Sequence, residues 1–387
     1  MWWSTLVIVA PVVVMTVIAV LVLMRVLDVS GSAGRLELIR TSLAVGAGTG
    51  AVMTLVLAWR RQWATEHDAS ERRLTELYVK AVEQLGSDKA AVRHGALYAL
   101  ERVAQDNPDH RQAVVDVLCA YLRAPFTPPL GKAGTTPRRG GLPRSLGGPP
   151  ARRAAAAARR AAANPSKPTA TDEERRQERE VRSTAQRILA RHLQPGDNPR
   201  RPVHTFWPNL DLDLTDATLI DLDFTGCHIR TGSFMHTTFI GVTDFRRAQF
   251  GRGARFNLAQ FAGDTHFYDV RFAGHAGFGG VRFAGHAGFG GVWFTGYAGF
   301  DRVQFHGNAT FARAEFARDA RFDMATFAGE ARFDMATFGG EARFNKAEFA
   351  GSAVFQRAEF ARDARFDMAT FAGEARFDMA TFGGEAR

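Results

Sequence analysis

Phenylalanine recurs in the C-terminal part of this chain with a regularity that restricts the possible folds. From Phe234 to Phe382 the spacing alternates between five and six residues, which gives an eleven-residue period without a gap. An α-helix turns by about 100° per residue, so side chains five residues apart would differ by about 140° and could not share one stripe. The period therefore argues against a helix and favours very short strands separated by corners.

Each repeat ends in a tripeptide such as Ala331-Arg332-Phe333, with the small and the large residue two positions apart. Alternate residues of a strand face the same side, so alanine and phenylalanine should point inward and arginine outward. Stacked coils would then place phenylalanine on phenylalanine at about 4.8 Å, in continuous interior columns. The predicted core ladder consists of Phe234, Phe239, Phe245, Phe250, Phe256, Phe261, Phe267, Phe272, Phe278, Phe283, Phe289, Phe294, Phe300, Phe305, Phe311, Phe316, Phe322, Phe327, Phe333, Phe338, Phe344, Phe349, Phe355, Phe360, Phe366, Phe371, Phe377 and Phe382.

A five-residue step leads into this ladder, with Ala217 two residues before Leu219; its members are Leu214, Leu219, Phe224, Ile229, Phe234 and Phe239. The pattern resembles the pentapeptide-repeat proteins, whose consensus has a small residue, any residue, and then Leu or Phe at the centre of each five. The resemblance covers about residues 209–387 and implies an all-β right-handed quadrilateral β-helix with four fives per coil. The upstream apolar pair, the helical stretch 76–123 and the late start of the repeats are similar to membrane-anchored actinobacterial members of that family.

The ladder departs from that family pattern because every second unit after Phe239 has six residues. Each coil then combines two units of five with two units of six, and two of its corners should bulge around an extra residue, often glycine. Residues 313–343 and 357–387 are identical, and their offset equals two such coils, which preserves the register. The last coil has no polar cap, so we expect a longer chain or, less favoured, a covering partner such as a second copy placed end to end.

The basic character of the chain lies outside the repeats. Residues 201–387 contain 20 Lys and Arg against 22 Asp and Glu, so the formal charge of +9 for the whole chain leaves +11 on residues 1–200. A near-neutral repeat region lacks the strongly acidic surface with which some relatives resemble a DNA duplex and bind topoisomerase.

Two uncharged runs near the N-terminus, 6–24 and 41–59, approach the roughly 20 apolar residues that cross a bilayer. They predict a transmembrane hairpin in residues 1–61, with spans at about 5–25 and 40–59; a cleaved signal peptide is the minor alternative, since the first residues carry no positive charge. The arginines after the second span favour a multi-pass cell-membrane protein with its C-terminal region in the cytoplasm. Gly46 and Gly50 form a small-xxx-small step, which favours helix packing within the hairpin over a dimer interface.

Between the membrane segment and the repeats, the sequence predicts three further parts. Residues 62–123 read as a small module of three amphipathic helices. Residues 124–171, rich in Pro, Gly, Ala and Arg, read as a disordered basic linker that is solvated or touches anionic lipid. Nucleic-acid contact there is disfavoured, because the linker lacks interleaved aromatic residues and a folded frame. Residues 172–200 read as a connecting helix, and residues 201–387 as the repeat domain.

No catalytic or cofactor-binding motif stands out in the sequence, and we predict no enzyme activity, no cofactor and no metal. Cys119 and Cys227 read as buried small hydrophobic residues. A column of polar residues three before alternate phenylalanines invites a metal site, but the arginines two residues further on make lateral ion pairs the better interpretation. The column consists of His275, His286, Tyr297, Asn308, Asp319, Glu330, Glu341, Ser352, Asp363, Glu374 and Glu385.

The function predicted from these features is a membrane-anchored, non-catalytic scaffold that presents a rigid β-helix to another protein. The expected partners are the lipid bilayer and an unidentified protein, with a homo-oligomer as a further option. The alternatives are a nucleic-acid-mimicking topoisomerase-binding protein, and contact with anionic lipid or nucleic acid through the basic linker.

Overall fold

The computed structural model describes residues 32–128, 170–196, 198 and 200–387, with six further positions between residues 14 and 25. Most of the predicted first span and of the basic linker lies outside the described residues, as do the surroundings of Gly46 and Gly50. Within the described part of the chain, no helix is both long enough and apolar enough to cross a membrane. The chain divides into two compact units, residues 1–77 and 78–387.

Within the continuously described ranges, four α-helices precede the repeats, and a short 3₁₀ turn separates the second from the third. Their bounds are Ser32–Leu85 (α1), Ala90–Asp106 (α2), Pro108–His110 (3₁₀), Arg111–Arg123 (α3) and Ala170–Leu193 (α4). Asn107 ends α2 and donates from Nδ2 to the Val103 carbonyl at 2.9 Å. Pro108 follows at once and starts the 3₁₀ turn.

Helices α2, α3 and α4 pack together through apolar stripes that recur at helical spacing. The stripes consist of Ala96, Leu97, Leu100, Val103 and Ala104 on α2, Val114, Val115, Leu118, Cys119 and Leu122 on α3, and Val181, Ala185, Ile188 and Leu189 on α4. Helix α4, at the position of the predicted connecting helix, is therefore part of the same helical bundle as α2 and α3.

The repeats form a β-solenoid of about eight coils, which confirms the predicted repeat fold. Short parallel strands of successive coils pair into four sheets, which we call faces 1 to 4 in chain order. Face 1 contains Asp211–Asp213 (β1), Thr231–Ser233 (β4), Ala254–Arg255 (β8), Ala276–Gly277 (β12), Ala298–Gly299 (β16), Ala320–Arg321 (β20), Ala342–Arg343 (β24) and Ala364–Arg365 (β28). Face 2 contains Thr218–Ile220 (β2), Thr238–Ile240 (β5), Gln260–Phe261 (β9), Arg282–Phe283 (β13), Gln304–Phe305 (β17), Thr326–Phe327 (β21), Glu348–Phe349 (β25) and Thr370–Phe371 (β29).

The other two sides of the solenoid have the same construction. Face 3 contains Thr243–Asp244 (β6), Thr265–His266 (β10), Ala287–Gly288 (β14), Ala309–Thr310 (β18), Ala331–Arg332 (β22), Ala353–Val354 (β26) and Ala375–Arg376 (β30). Face 4 contains His228–Ile229 (β3), Gln249–Phe250 (β7), Arg271–Phe272 (β11), Trp293–Phe294 (β15), Glu315–Phe316 (β19), Thr337–Phe338 (β23), Glu359–Phe360 (β27) and Thr381–Phe382 (β31). From the third coil onward, paired strands keep one constant offset in the sequence, which is the offset between Phe272 and its partner Phe294.

The interior consists of four columns of stacked phenylalanine rings. Rings in one column lie nearly parallel, with centroids 4.3 Å apart for Phe239 and Phe261 and 5.1 Å apart for Phe250 and Phe272. Rings of the face 1 and face 3 columns meet edge to face; the centroids of Phe300 and Phe311 are 5.3 Å apart at 89°. The strand spacing imposes the parallel stacking, and the edge-to-face contacts are the arrangement that aromatic quadrupoles favour.

The corners explain the alternation of five and six residues. In the five-residue units the second residue after phenylalanine has a left-handed backbone, with φ of 58° at Met324 and 68° at Gly280. The six-residue units turn from face 2 to face 3 and from face 4 to face 1. Glycines there lie against the preceding coil: a Cβ on Gly274 would stand 1.6 Å from the Arg252 carbonyl oxygen.

Helices α3 and α4 cover the N-terminal end of the solenoid through two glutamine side chains. Gln112 donates to the Asp211 carbonyl at 2.9 Å and accepts from its N–H at 3.0 Å. Gln186 makes the same pair of bonds with Ile220, at 2.8 and 3.1 Å. Each amide thus replaces the missing neighbour of a first-coil strand, which would otherwise present unpaired backbone groups.

Candidate protein-binding surface

The middle residue of each tripeptide lies on the outside of the solenoid and so determines its surface chemistry. On each face these residues form a row along the solenoid, in which residues of successive coils are about 4.8 Å apart. From the helical end, the row on face 4 is His228, Gln249, Arg271, Trp293, Glu315, Thr337, Glu359 and Thr381. The row on face 1 passes from Arg255 through Gly277 and Gly299 to Arg321, Arg343 and Arg365.

Residues 270–300 form a section of the solenoid with no acidic residue, which we call the aromatic belt. Its only arginines are Arg271 and Arg282, and Asp269 and Asp301 bound it on either side. Several outward positions in the belt are glycines, over which neighbouring aromatic side chains lie. A Cβ on Gly288 would stand 2.3 Å from the Tyr268 ring, for example. The belt therefore has a smoother and less charged surface than the coils that follow it.

Trp293 is the large apolar side chain of the belt that is most available to a partner. It is 42% exposed on face 4, although the neighbouring Phe294 is fully buried. The guanidinium carbon of Arg271, one coil earlier, lies 5.3 Å from the centroid of the Trp293 ring. This cation–π contact holds both side chains on a flat β-surface. Tryptophan and arginine are also the residue types that most often dominate protein–protein binding energies.

The corner between faces 4 and 1 extends this surface through Tyr297. Its hydroxyl donates to Asp301 at 3.3 Å, and the guanidinium carbon of Arg321 lies 6.0 Å from the ring centroid. Partial burial raises the pKa of Tyr297 and also that of Asp301. Arg321 opposes both shifts, because it stabilises the ionised forms of its two neighbours.

The polar column of the sequence analysis lies at the six-residue corners, where it forms hydrogen bonds between coils. Asp319 accepts from the backbone N–H of Glu341 at 3.0 Å, and Asp363 does the same for Glu385 at 3.1 Å. The Nδ1 atom of the exposed His275 accepts from the backbone N–H of Tyr297 at 3.2 Å. In the described part of the chain, no group of three or more His, Cys, Asp or Glu could hold a metal ion.

The expected lateral ion pairs form at some coils only. Arg376 and Arg387 pair with the acid two residues before them, each at 2.8 Å. Arg332 instead pairs with Asp334 at 3.0 Å, and Arg343 reaches Asp323 on the preceding coil at 3.2 Å. For these two arginines the predicted partner was wrong, because an acid from another corner lies within ion-pair distance.

The family model described as pentapeptide repeats (9 copies) matches residues 224–271 and 311–358. The repeat region is a pentapeptide-repeat domain. No curated protein and no solved structure matches the chain.

The pentapeptide-repeat domain and the helices that cover its first coil bury both cysteines and His192. Cys119 and Cys227 are free and buried, and burial raises the pKa of the Cys119 thiol to about 12. His192 lies 2% exposed between Glu101 and the Trp207 ring, whose centroid is 3.7 Å from its own. His192 and Cys227 contribute to the junction between the helices and the solenoid, and Cys227 donates from Sγ to the Ala190 carbonyl of α4 at 3.7 Å.

Sequence reasoning missed the aromatic belt of the pentapeptide-repeat domain. The signal was present, because the stretch 270–300 lacks acidic residues and contains Trp293 at an outward position. The two glutamines that cap the first coil gave no such signal. Their role depends on contacts between residues about 99 and 34 positions apart, which no local pattern records.

Proposed function

We propose that this chain is a non-catalytic scaffold whose pentapeptide-repeat domain binds a protein partner through the aromatic belt. The observation that supports this most directly is the exposed Trp293, held by Arg271 on a rigid face. The solenoid interior provides that rigidity at little entropic cost on binding, since its outward side chains already stand in fixed rows.

The partner surface is expected to combine apolar groups with acidic ones. Arg271 and Arg282 are the only formally charged residues of the belt, and no carboxylate neutralises them within it. Electrostatic complementarity therefore favours an acidic partner, and the ring of Trp293 favours an apolar pocket on that partner.

Photocrosslinking in intact cells tests this proposal. A photoreactive residue in place of Trp293 should capture one protein, and the same residue in place of Thr337, on the same row two coils further on, should capture far less of it. Trp293→Ala should then lower the affinity of the captured protein at least about tenfold, whereas Thr337→Ala leaves it unchanged. Equal capture at both positions, or an unaltered affinity in Trp293→Ala, would refute the proposed surface.

We also propose that the N-terminal apolar segment attaches the scaffold to a lipid bilayer, with the C-terminal region on the cytoplasmic side. The run 41–59 has no charged residue, and Val52, Leu55 and Trp59 on α1 are 62%, 69% and 69% exposed. Exposed apolar side chains of this size are stabilised by transfer to a lipid environment.

Cell fractionation and protease accessibility test the attachment. The full chain should stay with membranes after an alkaline carbonate wash, and a chain that lacks residues 1–61 should move to the soluble fraction. Protease should cleave the C-terminal region only after the cells are permeabilised. A full chain found in the soluble fraction would exclude attachment, and cleavage in intact cells would reverse the orientation.

A further inference from the structure

Two shallow cavities adjoin each other on face 4, where the loop after α4 meets the first coils. One, of about 400 Å³, is lined by Gln194, Thr225 and Arg247 among others. The second, of about 560 Å³, is lined by Phe206, Asn209 and Arg252 among others. His228 and Gln249 line both cavities. Each is within the size range of small-molecule sites, about 300–1,000 Å³.

The described residues that line the two cavities include three arginines and no acidic side chain. Arg230 is neutralised, because its Nε donates to Asp211 at 2.8 Å. Arg247 and Arg252 have no salt bridge to any described residue. They lie at the two corners that flank strand β7, with Gln249 between them.

The same arrangement recurs in two later coils with one chemical difference. Arg313 and Arg318 flank Glu315, and Arg357 and Arg362 flank Glu359. The corner backbones correspond, with φ of 58°, 57° and 55° at Arg247, Arg313 and Arg357. In the later coils a glutamate supplies the arginines with a counter-charge, whereas at Gln249 the central group is a neutral amide. Asp211 interacts electrostatically with Arg252 but is already paired with Arg230, so the first of the three sites keeps more positive charge beside its central residue than the later two.

We propose that Arg247, Gln249, Arg252 and His228 form a binding site for an organic phosphate. Guanidinium groups match phosphate oxygens with parallel N–H donors, and the Gln249 amide adds another donor between them. The ring of Phe206 meets that of His228 edge to face at 6.0 Å and 89°, which fixes the imidazole in the shared wall. Burial lowers the pKa of His228, so at neutral pH its ring contributes one N–H donor and no charge.

The site can be tested with the full chain in neutral detergent micelles, with inorganic pyrophosphate as the probe in calorimetric titrations at low ionic strength. Pyrophosphate should bind the unaltered chain. The double variant Arg247→Gln/Arg252→Gln should lose affinity by about tenfold or more, and so should Gln249→Glu, which introduces the carboxylate of the later coils. The matched control Arg313→Gln/Arg318→Gln should bind pyrophosphate within about twofold of the unaltered chain.

A second arm of the experiment identifies the source of the phosphate. Lysophosphatidic acid added to the micelles should bind more tightly than pyrophosphate if the ligand is a lipid headgroup, and more weakly if it is a soluble phosphate; Gln249→Glu should weaken either. Failure of both probes to bind would overturn the proposal. If Arg313→Gln/Arg318→Gln lowered the affinity as much as Arg247→Gln/Arg252→Gln, or if Gln249→Glu had no effect, the binding would be general attraction by surface charge. Either result would refute the proposed site.

Discussion

A phenylalanine in this solenoid is constrained from four directions at once. Phe311, for example, is fully buried, stacks on Phe289 at 4.8 Å and on Phe333 at 4.9 Å, and meets Phe300 and Phe322 edge to face at 5.3 Å. A smaller side chain would leave a cavity that neither neighbouring coil can fill, since the strand spacing fixes the distance between coils.

Phe311→Ala should therefore lower the free energy of unfolding by about 3–5 kcal/mol. Phe382→Ala provides the control, because Phe382 is 40% exposed and stacks on one ring of its column, Phe360. Urea denaturation followed by far-ultraviolet circular dichroism measures both variants. If both variants lost the same free energy of unfolding, burial of a ring between two stacked neighbours would not add to the stability of the solenoid.

The Asp211–Arg230 pair at the first coil gives one carboxylate a measurable pH dependence. The guanidinium group of Arg230 holds the pKa of Asp211 below its usual range, against the opposing effect of burial. A carboxylate with a lower pKa in the folded chain stabilises it above the unfolded value of about 3.9, and that contribution disappears as the pH falls through the folded value.

Asp211→Asn should accordingly be less stable than the unaltered chain at pH 6, and the difference should shrink as the pH falls below the unfolded value of about 3.9. Urea midpoints measured between pH 3 and pH 7 test this, with the exposed corner variant Asp216→Asn as the control. A difference that stays constant over the whole pH range would assign the effect of Asp211 to packing and not to its charge.

At the level of elements, the glutamines of α3 and α4 act as substitute strands at the open edge of the first coil. Gln186 is the more buried example, with 6% of its surface exposed, and it satisfies both backbone groups of Ile220. Loss of its amide would leave a buried donor and a buried acceptor without partners.

Gln186→Leu should destabilise the solenoid by about 2–4 kcal/mol, because each unsatisfied group costs about 1–3 kcal/mol. Gln177→Leu, an exposed position on the same helix, should change stability by less than about 0.5 kcal/mol. Amide hydrogen exchange adds a local readout, in which the N–H of Ile220 should lose protection. Unchanged exchange at Ile220 would mean that α4 does not cap this edge.

The sequence predicts the strands and corners well for a physical reason. From the second coil onward every large inward position is phenylalanine, and a smaller residue lies two positions before it. Local spacing alone therefore determines which residues pair, as for Ala331 and Ala353. The helical cap could not be predicted in the same way. Its contacts join Gln112 to Asp211 and Gln105 to Trp207, and such pairs across most of a domain leave no periodic trace.

At the scale of the whole molecule, the identical segments 313–343 and 357–387 make the length of the solenoid adjustable in steps of two coils. Deletion of residues 313–356 removes two whole coils and joins Ala312 to Arg357, which leaves every remaining column in register. Each coil contacts only its neighbours, so the shorter solenoid should keep its fold.

Circular dichroism and urea unfolding of the deletion variant should show β-structure and a midpoint close to that of the full chain. Deletion of 313–351 is the matched control, because it stops one five-residue unit short of two coils and shifts the six-residue units onto the wrong corners. That variant should lose most of its cooperative unfolding. If the two deletion variants were equally stable, the assignment of five-residue and six-residue units to particular corners would be wrong.

Because paired strands keep a constant offset, a difference in residue number along one row corresponds to a fixed distance along the solenoid. Each step along a row, such as the step from Arg271 to Trp293, corresponds to about 4.8 Å of solenoid. A tryptophan moved from position 293 to 315, 337 or 359 would travel along face 4 in equal steps without a change of direction. The distance between two binding sites on a partner could therefore be read from the sequence numbers of the variants that still bind it.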